Sequence, residues 1–174
     1  MTKDEIVGEI SLSNFPKQFE LDRNKMYINV PETNTVEVAD LKTRKVVSVW
    51  PVKEAKENVP MGIDRIHQRL LIGCEPGKLI VYNLKTEKVI SSIDISKEAD
   101  GIYYDQKRSQ IYVSCAEGFI DVIKQNTPDS YEVVSKIPTK IGAATSLFIP
   151  ELDVFVLAVP QDQSGNAQIR VYNP

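Results

Sequence analysis

Few residues in this sequence have types and spacings that could do chemistry. His67 is the only histidine, and it lies between Arg65 and Arg69 in a segment with the composition of a turn. One histidine excludes the His-rich haem and copper sites and leaves little room for His-dependent hydrolysis. The sequence also has no Gly-rich phosphate loop, no Cys-x-x-Cys pair and no Ser-His-Asp set. We therefore interpret His67 as a solvated turn residue.

The two cysteines, Cys74 and Cys115, end apolar segments that resemble each other. If the segments are equivalent strands of neighbouring repeats, the two Cα atoms lie farther apart than the roughly 4.4 to 6.8 Å that a disulfide needs. We interpret both as small buried thiols that pack between repeats. A reactive or metal-binding pair is the alternative.

Polar side chains stand at the entry of four short apolar segments, which are residues 18–21, 61–63, 101–104 and 146–149. These polar residues are Lys17, Gln18, Asn58, Asp100, Thr145 and Ser146. If the four segments surround one axis, the polar groups could hold a small polar ligand or a cation. The alternative is that they are polar only because water fills the centre.

Three carboxylates, Glu32, Glu75 and Glu117, occupy matching turns and could form an acidic arc beside these groups. Ordinary turn chemistry next to Pro and Gly is the other interpretation of the three glutamates. We include them with the six polar residues in the predicted ligand-binding set. We predict no catalytic residue, no metal ligand and no cofactor.

The elements that would position these residues repeat along the chain. An apolar strand recurs as KMYINV (25–30), RLLIGC (69–74), QIYVSC (110–115) and VFVLAV (154–159), in which we align Tyr27, Leu71, Tyr112 and Phe155 at spacings of 44, 41 and 43. A second strand recurs at 35–41, 78–84, 119–125 and 168–174, with Val38, Val81, Val122 and Val171 in one place. A third follows at 45–52, 88–95 and 131–138. Four strands and about 43 residues per unit are typical of propeller blades.

The repeats predict an all-β fold, a β-propeller with four blades of four antiparallel strands. We name the strands of a blade a, b, c and d from the axis outward. The last unit lacks strand d, and residues 6–12 supply a lone copy of it. We expect residues 6–12 to pair with 168–173, so that the N-terminal strand closes the last blade and no sheet edge stays free. The predicted single domain covers 1–174, with blades at about 14–52, 58–95, 99–138 and 143–174 plus 6–12.

The repeated strands resemble those of a known family. Tyr27-Ile28-Asn29-Val30 and Tyr112-Val113-Ser114-Cys115, with the Lys-Thr-x-Lys turns at 42–45 and 85–88, are similar to the YVTN repeats of bacterial, YncE-like β-propellers. The resemblance is to the later blades of that family and covers nearly the whole chain. It implies a propeller, usually of more blades than four and often of seven, and a family whose members are often exported. It implies no general catalytic motif.

Composition limits the classes of partner. The net charge of the 174 residues is -3, and lysine and arginine are scattered among aspartate and glutamate. This pattern lacks the one-signed basic surface that binds phosphate backbones, so we expect no nucleic-acid partner. No segment is long and apolar enough for a signal peptide or a membrane span, so we expect a cytoplasmic protein that does not bind membranes.

Three hypotheses for function follow. The first is a non-enzymatic binding module that uses the loop face of the propeller, which carries the loops from strand d to strand a and from strand b to strand c. Its ligand would be a protein, a peptide or a small polar molecule. The second is a metal-assisted, lactonase-like hydrolase at the central channel, with Gln18, Asn58 and Asp100 as oxygen donors and Glu117 as the base. The third is a half-ring that dimerises into an eight-bladed propeller or pairs with another chain.

Overall fold

The computed structural model describes residues 5–163 and 165–174, and it is built from four antiparallel sheets. Sheet 1 contains β1 (Phe19–Asp22), β2 (Lys25–Val30), β3 (Thr35–Asp40) and β4 (Lys45–Pro51). Sheet 2 contains β5 (Met61–Asp64), β6 (Arg69–Cys74), β7 (Lys78–Asn83) and β8 (Lys88–Asp94). Sheet 3 contains β9 (Ala99–Asp105), β10 (Gln110–Cys115), β11 (Phe119–Thr127) and β12 (Ser130–Pro138). Sheet 4 contains β13 (Ser146–Ile149), β14 (Val154–Val159) and β15 (Gln168–Tyr172).

Each sheet is a meander whose strands pair in chain order, so the predicted four-fold repeat is confirmed. The helical structure in the described residues is one 3-10 turn, Pro31–Thr33. None of the described residues belongs to a helix that is long and apolar enough to cross a membrane. The predicted domain bounds, 1–174, also include residues 1–4 and 164, which lie outside the described part.

The turn between strands a and b contains a residue with a positive φ in all four sheets. In sheets 2, 3 and 4 this is the residue just before strand b, namely Gln68 (58°), Ser109 (51°) and Asp153 (54°). In sheet 1 the turn is two residues shorter, and the residue is Arg23 (54°), directly after β1. Non-glycine residues adopt this left-handed region uncommonly, so its recurrence in the same turn shows that the four units share a backbone plan. In sheets 2 and 3 an aspartate at the end of strand a fixes the turn, because Asp64 and Asp105 accept hydrogen bonds from backbone N–H groups two and three residues later.

Neighbouring sheets pack face to face on shared apolar layers. The layer between sheets 1 and 2 contains Tyr27, Trp50, Ile72 and Tyr82, all buried. The indole of Trp50 lies between two aromatic rings, with centroid distances of 5.4 Å to Tyr27 and 5.5 Å to Tyr82. Trp50 therefore packs between two neighbouring blades.

The two cysteines lie in different layers. Cys74 is in the layer between sheets 1 and 2, whereas Cys115 is in the layer between sheets 2 and 3. Both are free and buried. Burial raises the pKa of Cys74 to about 12 and also raises that of Cys115. The interpretation as buried thiols is confirmed, and the alternative of a reactive or metal-binding pair has no geometric support.

His67 does not stand free in solvent as predicted. Its Nδ1 lies 2.7 Å from Oδ2 of Asp64, and its side chain is only 34% exposed. Asp64 is buried, and the Nε2 group of Gln125 donates to the same oxygen at 3.1 Å. A buried carboxylate needs such partners. His67 therefore helps to satisfy Asp64 at the junction between sheets 2 and 3.

The register predicted for the fourth unit was wrong by one residue. Strand pairing places Tyr27 opposite Val38, Leu71 opposite Val81 and Tyr112 opposite Val122. In sheet 4 the partner of Val171 is Val156 rather than Phe155. Phe155 instead faces back into the layer shared with Tyr112, at a centroid distance of 5.7 Å.

The predicted closure by the N-terminal strand was also wrong. Residues 6–12 form no strand, and β15 has a sheet partner on one side only. Ile10 and Leu12 instead pack on the outer face of sheet 1, against Ile28, Val30 and Ala39. The closure fails because sheets 4 and 1 do not meet. Principal contacts between sheets link chain neighbours (β1 with β5, β5 and β6 with β9, β8 with β12, β9 with β13), so the described sheets form an open arc.

Trp50 tests the importance of the sheet-to-sheet layers. We expect Trp50→Ala to lower the free energy of unfolding by about 3 to 5 kcal/mol, because it leaves a cavity between Tyr27 and Tyr82. Urea denaturation followed by circular dichroism measures the change. Val47→Ala on the same strand, where the side chain is exposed, should change stability by less than about 0.5 kcal/mol. A loss below 1 kcal/mol for Trp50→Ala would contradict the role assigned to this layer.

Candidate functional site

The loop face of the protein carries the d–a linkers and the b–c turns. Five cavities open there and share lining residues, so they form a continuous series. Glu57 lines three of them and Val59 lines three. Loops on a rigid sheet scaffold are where binding residues concentrate. The candidate site is therefore on the predicted loop face.

The mouth cavity lies where sheets 2, 3 and 4 meet near the axis, and its volume is about 420 Å³. Its acidic residues are Glu57, Glu75, Glu98 and Asp100. Its other lining residues are small or apolar: Val59, Ala99, Ala116, Gly142, Ala144 and Thr145. Four carboxylates beside an apolar floor favour a ligand that carries positive charge next to aliphatic groups.

Lys17 marks the other side of the mouth. It lines a cavity of about 630 Å³ together with Gln18, Phe19 and Asp100. It also lines one of about 470 Å³ with Glu32, Lys56 and Glu57. This second cavity therefore contains two lysines and two glutamates, whereas the charged residues of the mouth cavity are all acidic.

The d–a linkers set the innermost ring of this face. Glu57 and Glu98 have positive φ angles of 50° and 57°, and each lies seven residues before the aspartate that ends strand a. Gly142 holds the equivalent place before sheet 4 with φ 83°. Two residues after this bend come Val59, Asp100 and Ala144, and the equivalent residue of sheet 1 is Lys17. The N–H groups of Lys17 and Val59 accordingly donate to equivalent carbonyls, those of Asn29 and Gly73.

Asn58 therefore lies one residue outside the predicted ring. Its side chain is buried, and its Nδ2 group donates to Oδ1 of Asn29 at 2.8 Å and to the carbonyl of Thr35 at 2.9 Å. Its Oδ1 atom is buried without a hydrogen-bond partner. This side chain ties the linker to sheet 1, and Val59 takes the place that we predicted for Asn58.

The structure separates the other predicted residues by role. Thr145 and Asp100 line cavities, and Gln18 does so while its Oε1 accepts a hydrogen bond from the N–H of Met61 at 2.7 Å. Ser146 points into the sheet junction, where its Oγ lies 2.6 Å from that of Ser114. Its carbonyl accepts from the hydroxyl of Tyr103, a group whose pKa is raised by burial.

The three predicted turn glutamates also differ. Glu32 lines a cavity beside Lys17. Glu75 accepts a hydrogen bond from the N–H of Glu98 at 2.6 Å, and Glu117 accepts one from the N–H of Lys97 at 2.8 Å. These last two brace the linker between sheets 2 and 3. Glu75 therefore both stabilises a turn and lines the mouth cavity. The sequence offered these two roles as alternatives.

Glu57 and Glu98 were missed as individual site residues. The available signal was their shared place seven residues before Asp64 and Asp105, inside the Lys- and Glu-rich linkers KEAKEN and SKEAD. Among the described residues, no group of three or more His, Cys, Asp or Glu side chains is placed to hold one metal ion. The carboxylates thus ring the mouth without converging on a point.

Comparisons with solved structures support the propeller fold. The chain is similar to a structure titled hydrazine synthase from Kuenenia stuttgartiensis, with a TM-score of 0.79 and 18% identity over 98% of this chain and 49% of that one. It is similar to the computationally designed protein Ika4, with a TM-score of 0.75 and 12% identity over 97% of both chains. It also matches the β-propeller domain of Myceliophteria thermophila Cps50 (Swd1), with a TM-score of 0.69 and 16% identity over 88% of this chain and 51% of that one.

The chain thus spans about half the length of two of these three structures. No protein-family description matches the sequence, and no curated protein matches it. At these identities the likeness concerns the fold alone. The chain is an all-β protein with a β-propeller fold, as the repeats predicted.

Substitutions of Asn58 and Asp100 test whether Asn58 stabilises the fold while Asp100 only lines the candidate site. Asn58→Ala should lower the free energy of unfolding by about 1 to 3 kcal/mol, because it leaves the buried Oδ1 of Asn29 without its donor. Asp100→Ala, at an exposed position, should change it by less than about 0.5 kcal/mol. Urea denaturation measures both. Equal losses for the two variants would contradict this division.

Proposed function

We propose that this chain is a non-enzymatic interaction module whose loop face binds a protein segment. The preferred segment has a lysine or arginine side chain next to aliphatic residues. The basic group enters the mouth cavity among Glu57, Glu75, Glu98 and Asp100, and the aliphatic residues lie on Val59 and the neighbouring alanines. The observation that carries the proposal is this combination of four carboxylates with an apolar floor in one cavity.

The continuity of the cavities favours a segment over a small molecule. Three further cavities adjoin the mouth cavity through Glu57, Glu75, Val59 or Asp100 and extend the groove over sheet 1. An extended peptide of several residues could follow this groove. Its acidic or carbonyl groups would then meet Lys17 and Lys56 on the far side.

Membership of the YVTN-repeat propellers of bacteria belongs to the proposal as well. It rests on the Tyr27–Val30 and Tyr112–Cys115 motifs and on the two Lys-Thr-x-Lys turns. The expected cytoplasmic location and the expected lack of nucleic-acid and membrane partners rest on composition. The propeller fold is compatible with each of these expectations and decides none of them.

No contact of the described residues favours the lactonase-like alternative. Of its three oxygen donors, Asn58 is buried in the junction with sheet 1, and Gln18 is hydrogen-bonded to Met61. The carboxylate of Glu117, the predicted base, accepts a hydrogen bond from the N–H group of Lys97. The interaction module is therefore the function that the geometry supports best.

Labelled hexapeptides with two central lysine or arginine residues between leucines test the proposal, with matched peptides that carry glutamate instead. Fluorescence anisotropy should show saturable binding of the basic peptides only, weakening as salt is raised. The double variant Glu98→Gln/Asp100→Asn should weaken binding roughly 3- to 10-fold, as expected for two charge contacts at an aqueous site.

The control is Glu132→Gln/Glu151→Gln, which removes the same charge at exposed positions away from the mouth and should leave binding unchanged. The proposal fails if basic and acidic peptides bind alike. It also fails if the mouth variant and the control variant lose the same affinity.

A further inference from the structure

Both ends of the arc present sheet faces that lack the partner every inner face has. The leading face of sheet 1 is the side that carries Met26 and Ile28, and it exposes Phe19 (56%) and Leu21 (42%) on β1. The trailing face of sheet 4 is the side that carries Val156, and it exposes Leu147 (50%), Ile169 (65%) and Val171 (64%). Contiguous exposed apolar side chains of this kind mark interaction surfaces.

The inner junctions show what covers such faces. In the equivalent place to Val171, the side chains of Val38, Val81 and Val122 are each less than 10% exposed because the next sheet packs on them. In the equivalent place to Phe19 on sheet 3, Ile102 is buried between sheets 2 and 3. The trailing face of sheet 4 is thus built like the trailing faces that already pack on a following sheet.

The segment before β1 identifies the partner of the leading face. Ser13 and Ser96 both lie nine residues before the aspartate that ends strand a, Asp22 or Asp105. The N–H and hydroxyl groups of Ser96 donate to the buried carboxylate of Asp121 at 2.6 and 2.9 Å. The N–H group of Ser13 donates to buried Glu37 at 3.0 Å, and its hydroxyl donates to the same oxygen.

The apolar residues before these serines match too. Ile10 and Leu12 cover sheet 1 just as Ile93 and Ile95 pack in the layer between sheets 2 and 3. Residues 6–13 therefore occupy the place of the fourth strand of a blade that would precede sheet 1. That blade's strands a, b and c are missing from the arc, whereas sheet 4 has strands a, b and c without a fourth strand.

We propose that a second copy of this chain supplies the missing partner at both ends. The trailing face of sheet 4 of each copy packs on the leading face of sheet 1 of the other, and β15 pairs with residues 6–12 of the other copy. Two identical junctions related by a two-fold axis then close an eight-bladed ring. This arrangement also removes the exposed edge of β15, which is otherwise open to pairing with other chains.

The pairing of β7 with β8 predicts the register across the junction. There, Lys78 pairs with Asp94, Leu79 with Ile93 and Ile80 with Ser92. The equivalent pairs across copies are Gln168 with Ser11, Ile169 with Ile10 and Arg170 with Glu9. This register pairs the apolar side chains of Ile169 and Ile10, and it pairs the positive charge of Arg170 with the negative charge of Glu9. Both are favourable cross-strand pairs.

The solution mass of the 174-residue chain is the first test, and its outcome is separate from that of the peptide-binding test because it uses no peptide and changes none of the four carboxylates of the mouth cavity. Light scattering after size exclusion should give twice 19.6 kDa. Ile169→Lys/Val171→Lys should convert the protein to a folded monomer. Ile66→Lys, at an exposed site on a turn of sheet 2, should leave the dimer intact. A wild-type mass of 19.6 kDa, or a concentration-dependent ladder of larger species, would overturn the proposal.

Cysteine cross-linking tests the register. Ser11→Cys/Gln168→Cys should oxidise to a disulfide-linked dimer, since the native thiols are buried. A disulfide within one copy, recognised by its monomeric mass, would show that each chain closes on itself. Failure to oxidise, in a variant that circular dichroism shows to be folded, would equally refute the pairing.

A charge exchange tests the Glu9–Arg170 pair across the same junction. Arg170→Glu should weaken dimerisation several-fold, because two like charges then lie opposite each other. Glu9→Arg/Arg170→Glu should restore most of the loss, as measured by the midpoint of dissociation on dilution. Equal dimer stability in the single and double variants would contradict the predicted register.

Discussion

The fold depends on one constraint, which is that each sheet has two apolar faces and each face needs a neighbour. Within the arc this need is met by the three layers between sheets, where Trp50 and the other core side chains lie. Burial of such layers supplies most of the stabilisation of an all-β protein. At the two ends of the arc the need remains, which is why Ile10 and Leu12 cover sheet 1 and why Val171 lies exposed on sheet 4.

The same packing decides where binding chemistry can sit. Because the sheets are rigid and face one another, the linkers between them all bend on the loop face and bring Glu57, Glu98 and Asp100 to one cavity. The carboxylates of Glu75 and Glu117 accept hydrogen bonds from backbone N–H groups of the linker between sheets 2 and 3 and hold it in place. The candidate site is thus a product of repetition, in which each unit contributes one or two side chains to a shared surface.

The sequence predicted the period, the strand order and the free, buried thiols, because alternation and spacing report directly on strands. It misplaced Phe155 and Asn58 by one residue each. VFVLAV is apolar at every position, so its pattern does not fix the register, and an aromatic side chain suits either face. Residues 6–12 were identified as a copy of strand d, but the partner of such a strand depends on how far four packed sheets curve, which no local pattern records.

Hydrogen exchange at β15 tests most directly whether the missing neighbour is a second copy. If the ring closes through two copies, the backbone amides of Gln168–Tyr172 that face away from β14 should exchange as slowly as those of β7 at high protein concentration. They should lose this protection on dilution below the dissociation midpoint. Rapid exchange of these amides at every concentration would show that the edge stays free, and it would contradict the assignment of residues 6–12 to the fourth strand of a partner's blade.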